Sequence, residues 1–216
     1  MAKESCLYVR SIHGFLEELS RDVPTLPGGG SAVALLGALA ASLEKFIVSI
    51  NLKKSQYISD KNTSAEMTVL RRLERLKKEC EELIDLDAQS YKKVIEAYKI
   101  NESGDEKTGK RKEAIEQAFK EATSVPYQLM KHSFEMLTYN NDIIDNAYEP
   151  ILPDAGVAAE VAYACFWGAY WIARANLARI NSRDFVLHNV ERYNALMKEV
   201  EAMHGQIKTK LKNRLE

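Results

Sequence analysis

Two polar side chains, Asp87 and Ser90, stand at positions where a packed helix calls for leucine or valine. Two rows of residues step by seven through this part of the chain, as a buried helix seam does: Leu73, Cys80, Asp87 and Val94, and Val69, Leu76, Leu83 and Ser90. A carboxylate in such a seam must be paired, hydrogen-bonded or protonated, because burying an isolated charge is costly. Asp87 is therefore either a structural group that pairs with an arginine or caps a helix, or an acid/base group of raised pKa in a cleft.

A glycine-rich stretch is the second place where chemistry is expected. Pro27, Gly28, Gly29, Gly30 and Ser31 precede an apolar segment with the character of a buried helix. No Gly-Lys-Ser/Thr follows, which excludes a P-loop, and no strand precedes the glycines, which argues against a dinucleotide-binding fingerprint. Exposed N–H groups at the start of a helix would bind an anion or a carbonyl oxygen. A tight turn explains the three glycines about as well.

Metal and disulfide chemistry is not expected. The four histidines, His13, His132, His188 and His204, show no metal-ligand spacing. The three cysteines, Cys6, Cys80 and Cys165, are far apart and odd in number. This pattern favours free thiols in a reducing cytoplasm, with Cys165 in the core, and no metal site.

The composition is that of a globular chain with a substantial core. Apolar residues make up 46% of the 216 residues, and the net charge of −1 offers no overall attraction to nucleic acid. The charged N-terminal segment lacks the apolar core of a signal peptide. The apolar segment from Ala32 to Leu43 is too short to span a bilayer, and that from Ala155 to Ala173 contains Glu160, so no membrane span is expected.

The hydrophobic period predicts an all-α protein, a single domain over residues 1–216. The predicted helices run from Ile12 to Arg21, Ser31 to Leu52, Thr63 to Ile100, Glu106 to Tyr139, Asp154 to Ile180 and Ser182 to Lys212. A capping box over residues 63–66 starts the third helix, Pro126 should kink or break the fourth, and Asp154 and Ser182 should cap the last two. Residues 140–153 are expected to be mostly loop. Long helices with short connections form an antiparallel bundle.

One predicted helix, from Val157 to Ile180, is apolar on almost every side. Such a helix lies at the centre of a bundle. The helix after the glycines is similar in composition. Because a 24.4 kDa chain with two such helices needs a partner to bury them, we expect a homodimer.

Six short motifs occur in one order along nearly the whole chain. They are Pro24-Thr25-x-Pro27-Gly28-Gly29-Gly30-Ser31, Lys53-Lys54 with Tyr57, Asp85-Leu86-Asp87-Ala88-Gln89-Ser90-Tyr91, Ala122-Thr123-Ser124-Val125-Pro126, Asp154-Ala155-Gly156-Val157-Ala158 and Asn176-Leu177. In these motifs the chain resembles the formiminotetrahydrofolate cyclodeaminase/methenyltetrahydrofolate cyclohydrolase family. The resemblance implies a helical homodimer with a folate site at the glycine loop.

The resemblance also implies roles for particular residues. Asp87 would be the catalytic acid/base. Backbone donors of residues 28–31 would hold the folate, Lys53 or Lys54 would neutralise its glutamate tail, and Asp154 would hydrogen-bond the pterin. The remaining candidate substrate-binding residues are Pro27, Tyr57 and Ser90. A tetrahydrofolate derivative would be the substrate, with no metal or other cofactor.

The chain departs from the family pattern in three places: Pro153 replaces a serine, Ile172 stands where an asparagine is expected, and Gln89-Ser90 replace smaller residues. Three hypotheses follow. The first is a cyclodeaminase, which releases ammonia from 5-formiminotetrahydrofolate. The second is a cyclohydrolase that uses the same site to direct water at the methenyl carbon. The third is a non-catalytic helical scaffold or folate-binding module that keeps the fold.

Overall fold

The computed structural model describes residues 11–22, 27–58, 64–100 and 105–216, without the side chains of residues 55–58 and 105–108. Every regular element in these ranges is helical, as predicted. The helices are α1 (Ile12–Leu19), α2 (Gly29–Ile58), α3 (Ser64–Tyr98), α4 (Asp105–Ala122), α5 (Ser124–Ile144), α6 (Leu152–Leu177) and α7 (Arg183–Leu215), with a short 3-10 helix, Glu149–Ile151, before α6.

Helix α2 runs antiparallel to both α3 and α6 and lies between them. Its start at Ser31 lies against Ile84 of α3, and Lys45, further along, pairs with Glu74. On the other side, the Cys165 thiol of α6 donates to the backbone oxygen of Val33. Buried apolar side chains from α1 to α7 form one continuous cluster around these contacts. The two apolar helices predicted from the sequence therefore form the middle of the bundle.

Small residues allow these central helices to approach closely. A Cβ atom added to Gly37 of α2 would lie 2.9 Å from the Cys80 Sγ of α3 and 3.4 Å from the Cys165 Sγ of α6. One added to Gly168 of α6 would lie 2.5 Å from Cγ2 of Val33. Cys80 and Cys165 are fully buried free thiols, so the expectation that Cys165 belongs to the core is confirmed.

The break expected at Pro126 in the fourth predicted helix is confirmed, although the predicted end of that helix is wrong. Two helices are separated at Thr123, and Pro126 lies in the first turn of α5, where its missing N–H costs no helical hydrogen bond. Helix α5 extends to Ile144, through part of the predicted loop, because its buried face continues through Asn140. The capping-box residue Thr63 lies outside the described residues.

The predicted caps of the last two helices also differ from the structure. Asp154 lies in the first turn of α6 and is not its N-cap, because the helix already begins at Leu152. Ser182 does occupy the N-cap position of α7, although its side chain makes no capping hydrogen bond.

By length and composition, one described helix could cross a bilayer: residues Gly29–Lys54, with a mean hydropathy of 1.8. Half of this segment is buried inside the fold. The core helix of a globular protein passes the same test, so the segment alone is weak evidence for a membrane span.

Candidate active site

Asp87 of α3 meets the N-terminus of α2. The hydroxyl of Ser31 lies 3.2 Å from Oδ2 of Asp87, and the backbone N–H of Ser31 also donates to the carboxylate. Burial raises the pKa of Asp87, and the two hydrogen bonds from Ser31 offset part of that rise. Among the described residues, the groups that affect this pKa include no arginine. The arginine ion pair is therefore not supported. The other structural alternative agrees with the structure, because Asp87 accepts the backbone N–H of Ser31 in the first turn of α2 and so caps a neighbouring helix.

The Ser31 hydroxyl can hydrogen-bond to the Asp87 carboxyl group whether that group is ionised or protonated. The Ser31 side chain is fully buried, and its Oγ lies 3.0 Å from the backbone oxygen of Ile84 as well as 3.2 Å from Asp87. A hydroxyl has one proton to donate and two lone pairs that accept. It can donate to ionised Asp87, or donate to Ile84 while it accepts the proton of neutral Asp87. This arrangement suits a carboxyl group that gains and loses a proton.

The position of the Asp87 carboxyl group requires that residue 30 have no side chain. A Cβ at this position would lie 1.9 Å from Oδ1 of Asp87 and 2.3 Å from its Cγ. Any side chain at residue 30 would therefore displace the carboxyl group. A Cβ on Gly28 or Gly29 would meet no atom of the described chain within 4 Å, so these two glycines border open space beside the acid.

Two other candidate residues adjoin the glycines and Asp87 along the chain. Pro27 is buried immediately before the glycines. Ser90 is half-buried one turn after Asp87 on α3, and Tyr91 is 50% exposed. The glycine loop and Asp87, far apart in sequence, thus form one cluster, which we call the glycine–aspartate cluster: residues 27–31 and Asp87, with Ser90 one turn further along α3.

The predicted lysines do not join this cluster within one chain. Lys53 and Lys54 are exposed near the other end of α2. At 1.5 Å per residue, Lys53 lies about 34 Å along the helix from Gly30. Lys54 places its Nζ 4.5 Å from the ring centroid of Tyr148. The backbone of Tyr57 belongs to α2, but its side chain lies outside the described part of the structure.

Asp154 is also distant from the glycines in a single chain. It is half-buried in the first turn of α6, next to Ala155, whose carbonyl accepts a hydrogen bond from Asn140. Asn140 in turn donates to Glu44 of α2, 13 residues after Ser31. The rise of the helix places this region about 20 Å from the start of α2.

Glu44 is a buried carboxyl group that the sequence analysis missed. It has no exposed surface, and its Oε1 accepts a 2.7 Å hydrogen bond from Nδ2 of Asn140. Desolvation raises the pKa of Glu44 to about 8. The signal was present in the sequence: Glu44 shares a helix face with Ala40, Ala41 and Ile47, all of which are fully buried.

A metal centre has no basis in the described residues. Within the ranges that the structure covers, no group of three or more His, Cys, Asp or Glu side chains could hold a metal ion. His204 contacts one carboxylate, not a group of metal ligands: it lies 3.0 Å from Glu160 and stacks on the ring of Tyr163.

The sequence matches a known family model over most of its length. The model describes formiminotransferase-cyclodeaminase, and the match covers residues 11–195. The chain belongs to the formiminotransferase-cyclodeaminase family. The resemblance drawn from the six motifs is thereby confirmed.

Relatives in this family differ in architecture. A methenyltetrahydrofolate cyclohydrolase from Methylorubrum extorquens is 27% identical over 206 residues, which are 95% of this chain and 97% of that protein. A formimidoyltransferase-cyclodeaminase from Mus musculus is 24% identical over 213 residues, which are 99% of this chain but only 39% of that protein. The chain therefore corresponds to about two fifths of the mouse protein.

A solved structure confirms the fold. The formiminotetrahydrofolate cyclodeaminase from Thermotoga maritima superimposes with a TM-score of 0.85 at 21% identity, over 96% of this chain and 98% of that one. The helical bundle of this protein is thus the fold of that family member.

Proposed function

We propose that this protein is a folate one-carbon enzyme, a formiminotetrahydrofolate cyclodeaminase whose acid/base group is Asp87. The observation that supports the proposal most is the carboxyl group of Asp87 held by Ser31 against Gly30, at the edge of open space beside Gly28 and Gly29. Membership of the formiminotransferase-cyclodeaminase family supplies the substrate class.

The reaction requires one proton to move between two nitrogen atoms. In the substrate, the formimino group on N5 is protonated. N10 of the same folate attacks the formimino carbon, and the new N10–C bond gives a tetrahedral intermediate. Asp87 removes the proton from N10 and returns it to the formimino nitrogen, which leaves as ammonia while 5,10-methenyltetrahydrofolate forms. A carboxyl group of raised pKa suits both steps, and such catalysis contributes about 10²–10⁴-fold to the rate.

The start of α2 would orient the substrate. The first N–H groups of a helix have no carbonyl partner within it, so they are available to a carbonyl or an anionic group of the ligand. Since Gly28 and Gly29 lack side chains, a flat pterin ring can approach this backbone closely. Fixing N10 near the formimino carbon makes the ring closure intramolecular and oriented.

The second candidate is methenyltetrahydrofolate cyclohydrolase activity. The Methylorubrum extorquens relative with that name is matched over 97% of its length, so it is a single unit of the same extent. In this reaction Asp87 would take a proton from a water molecule as the water attacks the methenyl carbon. As the N5–C bond breaks, Asp87 returns that proton to N5, and the hydroxyl of the tetrahedral intermediate loses its proton to solvent, which leaves 10-formyltetrahydrofolate and one released proton.

The purified protein should be assayed with 5-formiminotetrahydrofolate and with 5,10-methenyltetrahydrofolate, following the absorbance band of the methenyl compound. Appearance of the band from the first substrate, with equimolar ammonia, supports the cyclodeaminase. Accelerated loss of the band from the second alone assigns the cyclohydrolase. Folate binding without turnover of either substrate refutes both activities and leaves a non-catalytic binding module.

Location in the cytoplasm is part of the same proposal. Cys80 and Cys165 are both free thiols, as expected in a reducing compartment.

A further inference from the structure

One of the chain's two tryptophans, Trp171, lies on the surface of α6. It is 63% exposed, more than any other aromatic side chain that the structure describes. A single exposed apolar side chain is common on protein surfaces and needs no functional explanation. Trp171 differs from such a residue in how rigidly it is held and in what lies beside it.

Neighbouring rings hold the indole of Trp171 in place. Its ring centroid lies 5.8 Å from that of Trp167 and 5.3 Å from that of Tyr170. Trp167 is itself fixed by edge-to-face contacts with Tyr163 and Phe166. The indole is therefore pre-organised, and it would lose little conformational freedom when a ligand binds to its exposed face.

Trp171 lies at the height of the glycines at the start of α2. Gly168 and Val33 are side by side, since a Cβ on Gly168 would lie 2.5 Å from Cγ2 of Val33. Because α2 and α6 are antiparallel, three residues forward along α6 and four residues back along α2 lead in the same direction. The helical rise gives about 4.5 Å from Gly168 to Trp171 and about 6 Å from Val33 to Gly29. Trp171 and Gly29 are therefore nearly level on neighbouring helices.

Trp171 and Gly29 also face the same outer groove between α2 and α6. At 100° per residue, Trp171 is turned about 60° from the direction in which Gly168 meets α2. Gly29 is turned about 40° from the direction in which Val33 meets α6. In both helices the turn leads away from the core, since Trp171 and Gly29 are both exposed.

Small residues and one isoleucine line the rest of this end of the groove. By the same helical geometry they are residues 28, 29 and 32 at the start of α2, and Gly168, Ile172 and Ala175 of α6. The groove is therefore an open apolar slot with one flat aromatic wall, the indole of Trp171. Such a slot suits a planar ring, because aromatic rings stabilise each other by stacking in addition to the area that they bury.

We propose that Trp171 is a substrate-binding residue whose indole stacks on the aminobenzoyl ring of the folate. This inference rests on the proposed function for the identity of the ligand. Asp87 lies on the α3 side of the start of α2, and Trp171 lies on its α6 side. In the proposed reaction Asp87 acts on N10, which carries the aminobenzoyl ring, while the pterin lies against the glycine backbone. The aminobenzoyl ring is the aromatic part of the folate that remains for the slot.

Fluorescence of Trp171 tests the contact directly. The substitution Trp167→Phe leaves Trp171 as the only tryptophan, and acrylamide should quench its fluorescence in the ligand-free protein, because the indole is exposed. The non-reactive analogue 5-formyltetrahydrofolate should protect the indole from acrylamide. The fragment p-aminobenzoylglutamate should also protect it, whereas 6-methyltetrahydropterin should not.

Three results of the quenching experiment overturn the proposal. An indole that is shielded before any ligand is added means that another protein surface, such as a second copy of the chain, covers it. Protection by the pterin fragment but not by the aminobenzoyl fragment assigns the slot to the other ring. Bound 5-formyltetrahydrofolate that leaves the quenching unchanged places the folate elsewhere.

Substitution of Trp171 separates ring stacking from apolar burial. Trp171→Leu removes the flat ring and should raise KM about fivefold with little change in kcat, whereas Trp171→Phe should stay within about twofold of the wild type. Tyr98→Leu, the same kind of change at a residue that is 44% exposed, is the control and should leave KM unchanged. A wild-type KM in Trp171→Leu, or an equal rise in the leucine and phenylalanine variants, overturns the stacking. Melting temperatures of all variants confirm that folded proteins are compared.

The two experiments separate this inference from the proposed function. A protein that binds 5-formyltetrahydrofolate with protection of Trp171, but turns over neither substrate, refutes the function and supports the stacking. An active protein in which Trp171 is neither protected nor important for KM supports the function and refutes the stacking.

Discussion

Asp87, Ser31 and Gly30 form the smallest unit on which the proposed chemistry depends. Asp87 is half-buried in the α3 seam and receives two hydrogen bonds from Ser31, while Gly30 leaves room for the carboxyl group. Because no arginine pairs with it among the described residues, its neutral form leaves no buried cation uncompensated. The arrangement tolerates both protonation states, as an acid/base group requires.

The substitution Asp87→Asn should lower turnover by two or more orders of magnitude and leave the melting temperature unchanged or higher. Asparagine is close in shape to protonated aspartic acid, so the Ser31 contacts persist, but it cannot accept the substrate's proton. Turnover and thermal unfolding should be measured on one preparation, with the exposed Asp142→Asn as control. A destabilised variant with near-normal turnover per folded molecule refutes the catalytic role.

The rate of the wild-type enzyme should also depend on the ionisation of Asp87. Since burial raises the pKa of Asp87, the acid limb of kcat/KM should fall at a pH above the ordinary range of an aspartic acid. Activity is lost as pH falls through that pKa, because the base form is the one that takes the proton. A profile flat down to pH 4 contradicts this assignment.

Substitutions at two neighbouring glycines should have different effects. Gly30→Ala should displace the Asp87 carboxyl group, because the new methyl group would lie 1.9 Å from Oδ1, and turnover should fall. Gly29→Val meets no protein atom at its Cβ, so helical content should hold while folate binding is lost. Circular dichroism and folate titration distinguish the two effects. Normal folate affinity in Gly29→Val indicates that the loop is only a turn.

At the scale of elements, Glu44 and Asn140 connect three helices in the core. Nδ2 of Asn140, on α5, donates to Glu44 of α2 at 2.7 Å and to the carbonyl of Ala155 on α6 at 2.9 Å. Oε2 of Glu44 and Oδ1 of Asn140 are buried acceptors that receive no hydrogen bond from any described residue. A proton on Glu44 supplies a donor, which agrees with its pKa of about 8.

The substitution Glu44→Gln should remove a pH dependence of stability. The folded protein keeps a proton on Glu44 up to about pH 8, whereas the unfolded chain loses it near pH 4.5. Folding therefore takes up a proton between these values, and wild-type stability should fall by about 1.4 kcal/mol per pH unit from about pH 5 to pH 8, then level off. Glutamine stays neutral and supplies an N–H donor throughout.

Urea unfolding of the wild type and Glu44→Gln at pH 5, 6, 7, 8 and 9 measures this difference directly. The exposed Glu201→Gln is the matched control and should follow the wild type. Stabilities of wild type and Glu44→Gln that run parallel across the series contradict the protonated state of Glu44.

At the scale of the whole molecule, the arrangement of α2 raises the question of a second subunit. Its inner face is covered by three helices, while its outer face exposes Leu39 and Phe46. The homodimer expected from composition stays a prediction, and we expect this exposed apolar face of α2 to be the surface that it would use.

The double substitution Leu39→Glu/Phe46→Glu should convert the expected dimer to monomers. Four like charges would lie at the contact between the subunits in place of buried apolar area worth about 25 cal/mol per Å². Sedimentation at low micromolar concentration measures the change, with Leu187→Glu, another exposed leucine, as control. A wild-type protein that sediments as a stable, folded monomer refutes the dimer.

The sequence by itself determined the all-α class, the two apolar core helices and the family, because helical period and motif order are local properties of the chain. It also singled out Asp87 as polar in an apolar seam. It misplaced the end of α5, because residues 140–144 combine loop-forming Asn and Asp with a buried face that only tertiary packing reveals.

Only the tertiary structure decided which of the candidate residues meet. It joined residues 30 and 31 to Asp87, more than 50 positions away, because α2 and α3 are antiparallel and their ends coincide. It also separated Lys53 and Lys54 from that cluster, because a straight helix of this length keeps its two ends far apart. Glu44 gained its raised pKa in the same way: a glutamate in the sequence became a protonated core group once three helices excluded water from it.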